Sequence, residues 1–229
     1  MEFPGIQPES LWLLAENRFQ NDKTFYEQQK PALRAGIIEP MYALIRDLAP
    51  VVQKIDRTIC VEPLRCLSRV RRDTRFTADK MLYREHMWFA LHPPKDGYKP
   101  YPFFWFEVAP QGYCYGSGIW NPTPRTMALW RKEIDRDPTA FLRAVSPVLK
   151  GGYEVDCERY KRPKKEGLPK KIEPWYNLKE IYAGKPWQPV EQLQDGQAIA
   201  EELAHAYRKL APFYHLLAHV VSREMIELE

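Results

Sequence analysis

Apolar positions in the first sixty residues recur at spacings of three and four. In "PESLWLLAENRF", residues 8–19, Leu11, Leu14 and Phe19 fall near one helical face behind a proline suited to a first turn. Asn21 or Asp22 can cap a second helix in "KTFYEQQK", and Met41, Leu44, Ile45, Leu48, Val52 and Ile55 resume the period after Pro40. Pro31, Gly36 and Pro40 should kink or divide this helical region, residues 8–57. From about Cys60 the period falls to two. "PLRCLSRV" sets Leu64, Cys66, Ser68 and Val70 on one side and Arg65, Leu67, Arg69 and Arg71 on the other, which predicts a strand with one charged face. "HMWFALH" at 86–92, "YPFFWFEVA" at 101–109 and "YCYGSGIW" at 113–120 are aromatic-rich strand candidates, the last two forming a hairpin around "PQG".

Connections this short exclude helical crossovers, so the central sheet, residues 60–120, should be antiparallel with about four to six strands. Thr123 with Pro124, and Asp137 with Pro138, supply cap and first turn for helices over 123–149. Residues 151–190 are dense in Pro, Gly and Lys and read as irregular, with a short strand at "IYAGK"; a long amphipathic helix follows over 196–226, bent at Pro212. The order predicts a single α+β domain over 1–229, with N-terminal and C-terminal helices packed on the sheet.

With 45% hydrophobic and 13% aromatic residues among 229, the chain can bury a full core. A net charge of +4 is too small to imply nucleic acid by itself. No run of eighteen apolar residues occurs and charges populate the first thirty positions, so neither a membrane span nor a secretory leader is expected, and the predicted location is cytoplasmic. Cys60, Cys66, Cys114 and Cys157 form no C-x-x-C pair, which argues against zinc and against a disulfide framework. Cys114, in "GYCYG", has no activating neighbour in sequence.

Charge is concentrated between Ser68 and His86. Arg69, Arg71, Arg72, Arg75, Lys80 and Arg84 face only Asp73, Asp79 and Glu85, and three acids cannot neutralise six bases. A network of ion pairs at a sheet edge would account for part of this; the surplus must meet water or an anion. Asp73 is placed to hold one guanidinium by a two-point hydrogen bond, while "DTRFTADK" loops Arg75 and Lys80 back toward Arg69 and Arg72. Tyr83, His86 and Glu107 would line the pocket, and His86, Asp73 and Glu107 are the candidates for acid/base work.

A second basic run, "RYKRPKKEGLPKK" at 159–171, is broken by prolines and a glycine and should be a loop, solvated except where Lys161 and Arg162 are anchored beside Tyr160. His215 and His219 have the i, i+4 spacing of metal ligands without a metalloprotease glutamate, so no metal is assigned. The aromatic hairpin is mostly core, and Gly116 and Gly118 leave its strand open to another backbone or a ligand.

The segment "RVRRDTRFTADKMLY" fits the pattern R-x-x-R-D-x-R-F-x-x-x-K-x-x-Y at Arg69, Arg72, Asp73, Arg75, Phe76, Lys80 and Tyr83. With the opening "FPGIQPESLWLLAENRFQNDKTFYEQQK", the hairpin "FEVAPQGYCYGSGIWNPTP" and "YKRPKK", it makes the chain resemble the family called domain of unknown function 2461. Where members usually carry N-N-x-x-x-W-F this chain reads "QNDKTFY". The resemblance implies one α+β domain and supplies no activity, substrate or cofactor.

The residues themselves predict a binder of a phosphorylated small molecule or other anion, held by Arg69, Arg72, Asp73, Arg75, Lys80 and Tyr83 with Lys161 and Arg162. Phosphoryl or phosphodiester transfer is the natural chemistry for such a site. A nucleic-acid binding module on the same basic surface, and a scaffold whose arginines meet an acidic protein, are the alternatives. No cofactor is implied.

Overall fold

The computed structural model describes residues 1–226 except Phe76, Asp96 and Tyr98. Helices α1 (Pro8–Gln20), α2 (Lys23–Leu33), α3 (Glu39–Ile55) and α4 (Pro63–Cys66) precede strands β1 (Met87–Leu91), β2 (Tyr101–Ala109) and β3 (Gly112–Trp120). Helices α5 (Pro124–Arg136), α6 (Pro138–Lys150) and α7 (Glu173–Tyr176), strand β4 (Tyr182–Gly184) and helix α8 (Gly196–Ile226) complete the α+β chain. The antiparallel sheet has the order β1-β2-β3-β4.

Local chemistry accounts for most boundaries. Asp22 caps α2 by accepting the Phe25 N–H at 2.8 Å, and Asp137 caps α6 through the Ala140 N–H at 2.9 Å. The helix-breaking residues at 31–40 are absorbed rather than obeyed. Arg34–Ile38 form one wider turn, in which the Glu39 N–H reaches the Arg34 carbonyl, and helix continues on both sides.

The strand expected over "PLRCLSRV" does not form as such. Pro63 starts the short turn α4, and only an irregular antiparallel run follows, with Ser68 N donating to Trp88 O (2.8 Å), Arg84 N to Val70 O (3.0 Å) and Arg72 N to Leu82 O (2.8 Å). The short strand expected at "IYAGK" is β4, and it pairs with β3 in the register Gly116↔Gly184, Ser117↔Ala183, Gly118↔Tyr182. A methyl group on Gly116 would lie 2.0 Å from the Ala183 carbonyl, so the approach these glycines allow is that of β4's backbone.

The chain divides into two compact units. The first comprises Met1–Leu91, Trp105–Tyr115 and Trp187–Ala206; the second comprises His92–Phe104, Gly116–Pro186 and Tyr207–Glu229. The first buries the α3 face Met41, Leu44, Ile45, Leu48 and Val52, and packs the Phe89 ring tilted against Phe106, centroids 5.4 Å apart. Each such side chain contributes about 1.5–3 kcal/mol by leaving water. Its tyrosines 113 and 115 both donate to the Glu202 carboxylate, at 2.9 and 2.8 Å.

The second unit has an aromatic core of Trp130, Phe141, Trp175 and Phe213, in which the Trp130 indole N–H donates to the Trp175 carbonyl at 2.9 Å. Its buried Glu224 accepts from Thr123 Oγ1 (2.6 Å) and from Thr126, the two threonines that box the start of α5. The Glu224 carboxylate thereby sits at the positive end of that helix. No described helix is long and apolar enough to cross a membrane.

Candidate functional site

The basic segment of the first unit is a loop, Arg72 to Leu82, between the two antiparallel edges just described. Asp73 accepts from Arg75 Nε (3.0 Å) and Nη2 (2.7 Å), the two-point pair expected from the sequence. The Arg75 guanidinium and main-chain N–H hold the Asp73 carboxyl at a pKa of about 2. Lys80 Nζ donates to the Thr74 carbonyl at 2.9 Å.

Asp79 is the hub. Its Oδ1 accepts the Met81 N–H at 2.9 Å, and its Oδ2 accepts from Arg72 and, at 3.0 Å, from Arg18. These bonds, the Met81 N–H foremost, push its pKa well below the usual carboxylate range. Arg18, on α1, also donates to the Tyr83 carbonyl at 3.0 Å and lies 3.7 Å from Glu85. Four positions after α1's buried Asn17, Asn21 adopts a left-handed conformation (φ 48°) and accepts the Leu82 N–H at 2.7 Å. Neither Arg18 nor Asn21 was predicted as part of the site; both lie sixty residues away in sequence, and no local signal marks them.

The structure thus gives Arg72, Arg75 and Lys80 internal partners. Tyr83 is 1% exposed and stacked on Tyr26 at 4.7 Å, so its ring belongs to the core instead of lining an anion site. Phe76 lies outside the described residues. Arg69 and Arg71 are exposed, with no acidic partner among the described residues. Arg84 donates through Nε to the Arg69 carbonyl (3.1 Å) and lies 4.5 Å above the Trp88 ring. Burial first, then the charge of Arg72, lower its pKa.

Beyond Trp88, whose ring is 5.2 Å from that of His86, the His86 imidazole meets Glu107 from β2 through Nδ1. In a neutral His86, an Nδ1–H donated to Glu107 leaves Nε2 as the acceptor. His86 is 40% exposed and Glu107 25%, so the pair is open to solvent on one side. The sequence named both residues without pairing them. Cys114, also in this unit, is buried, and burial with the Glu107 charge pushes its thiol up to about 12.

In the second unit, His215 and His219 line a cavity of about 300 Å³ with Phe141, Leu216 and Glu133. His219 Nε2 is 3.5 Å from Glu133 Oε1, but that carboxylate is already held by Arg136 and Arg223. No cluster of three metal-ligating residues occurs among the described residues.

The family model described as "Conserved hypothetical protein (DUF2461)" matches residues 9–216. The chain belongs to this family. The match covers both the arginine segment and the 159–171 loop of this DUF2461 protein. No curated protein and no solved structure matches it.

Proposed function

We propose that this DUF2461 protein is a cytoplasmic binder of a phosphorylated small molecule, held on the face of the first unit that carries Arg84, His86 and Glu107. One observation supports this most directly: the Arg84 guanidinium and the His86 imidazole, itself paired with Glu107, both lie against the Trp88 ring. The planar fork of arginine suits two phosphate oxygens. A bound dianion would also offset the burial, and then the repulsion from Arg72, that lower the Arg84 pKa.

The bridge Arg71↔Tyr83 sets Arg71, and Arg69 with it, on the opposite side of this run from Arg84, so they add only to the general positive potential. Arg75 stays in its two-point pair with Asp73. Arg72, only 16% exposed, stays with Asp79 and shapes the loop. The chemistry that fits is phosphoryl or phosphodiester transfer, in which His86 Nε2 carries the proton and the Arg84 guanidinium stabilises developing charge.

The test is a thermal-shift panel of nucleotides, sugar phosphates and short oligonucleotides on wild type, Arg84→Ala and His86→Gln. A ligand of the native state raises the melting temperature by mass action. The expected result is a phosphate-dependent rise in wild type that Arg84→Ala abolishes. A flat panel, or the same rise in Arg84→Ala, defeats the proposal. Binding confined to oligonucleotides, and lost steeply with salt, would instead assign this face to nucleic acid.

A further inference from the structure

We infer that the second unit holds an oxyanion site of its own, built around Tyr160, which takes a compact polyphosphate-type ligand. It stands apart from the reading above, which concerns residues of the first unit alone. The loop Tyr160–Lys164 is tied at both ends by one buried residue. The Asn177 main-chain carbonyl accepts the Tyr160 N–H at 3.0 Å, and its side-chain Oδ1 accepts the Lys164 N–H at 2.8 Å. Pro163 stiffens the segment between. A run that composition describes as a solvated loop is therefore a fixed platform for basic side chains.

One cation of this loop and two from outside it approach the Tyr160 ring. Lys164 Nζ lies 4.3 Å from the Tyr160 centroid, the Arg131 guanidinium 5.7 Å and Lys179 Nζ 6.0 Å. Lys161 and Arg162 extend from the same loop and are exposed. Of the nearby acids, Glu158 holds Lys179 at 2.8 Å and Asp135 holds Lys165 at 2.7 Å, while Glu180 accepts the Glu158 N–H. Arg131, Lys161, Arg162 and Lys164 have no acidic partner among the described residues.

Arg131 supplies the second observation. Its Nη1 is sealed from solvent with no hydrogen-bond partner, an arrangement that is costly for a charged group. Tyr160 offsets part of that cost through its ring face. An anion over the loop offsets more by charge alone, without touching Nη1. The ligand is defined by the same geometry. Lys164 covers one face of Tyr160 in place of a stacked base, and recognition there rests on charge. Four unmatched cations suit a multiply charged group such as pyrophosphate better than a single carboxylate.

A residue-resolved NMR titration of the ¹⁵N-labelled protein with sodium pyrophosphate at low ionic strength tests this. Saturable shifts are expected at the amides of Lys161, Arg162 and Lys164. Lys164→Ala and Arg162→Ala, both at exposed positions, should each weaken binding about tenfold or more, as loss of a charge-assisted hydrogen bond does. Lys164→Arg should retain it, and Lys54→Ala, an exposed lysine on α3, should leave it unchanged. The inference falls if millimolar pyrophosphate produces no saturable shift in this loop, or if Lys164→Ala titrates like wild type. It falls equally if oligonucleotides bind there with steep salt dependence while pyrophosphate does not.

Discussion

Replacing Asn177 with alanine should uncouple loop order from global stability. The substitution removes the Oδ1 acceptor for the Lys164 N–H at 2.8 Å and spares the main-chain carbonyl that holds Tyr160. A protein hydrogen bond contributes about 1 kcal/mol net, and the exposed loop lets the released N–H find water, so the melting temperature should fall by only about 2–4 °C. The same bond bounds the local effect: removing it can weaken loop order, and with it pyrophosphate affinity, by about 1 kcal/mol, roughly fivefold. Hydrogen exchange should show the Lys164 amide protected in wild type, unprotected in Asn177→Ala and protected again in Asn177→Asp, which restores an acceptor. An unchanged Lys164 exchange rate in Asn177→Ala would refute the tie, and a collapse in melting temperature would mean that Asn177 serves the core instead.

Two further outcomes follow from the electrostatics. Asp73, with its folded pKa of about 2 against an ordinary 3.8, contributes stability that is present above about pH 4 and fades as pH falls toward 2; Arg75→Ala should return the carboxyl midpoint, followed by ¹³C NMR, toward 3.8. Burial pushes the Cys114 and Cys157 thiols up to about 12 and about 11, so both should resist iodoacetamide at pH 8 in the folded protein and react once it is denatured, and rapid native labelling in a peptide map would contradict this.

The elements legible in the sequence were those with a local cause. Pro138 behind a capping Asp137, or the aromatic-rich run of nine residues in β2, act through neighbours in the chain, and the structure has both where the pattern puts them. The alternation in "PLRCLSRV" misled because Pro63 favours a helical first turn more strongly than four alternating residues favour extension, and because Leu64, 74% exposed, has nothing to pack against. That Asp73 holds a guanidinium at two points was readable; that the guanidinium is Arg75's was not. Nor was Asp79's attachment to Arg18, since which carboxylate a distant helix reaches is settled by packing. The same holds for Asn177, an unremarkable residue in a stretch without periodicity, and for the meeting of His86 with Glu107 across two strands.

The C-terminal end of α1 grips the arginine segment at three points: Arg18 on Asp79, Arg18 on the Tyr83 carbonyl, and Asn21 on the Leu82 amide. The shape of the loop is therefore inherited from the opening helix as much as from its own residues. Anything that peels that helix away, such as a bulky fusion joint, a proteolytic nick or a partner that borrows its outer face, would be felt first as slack among the guanidinium groups.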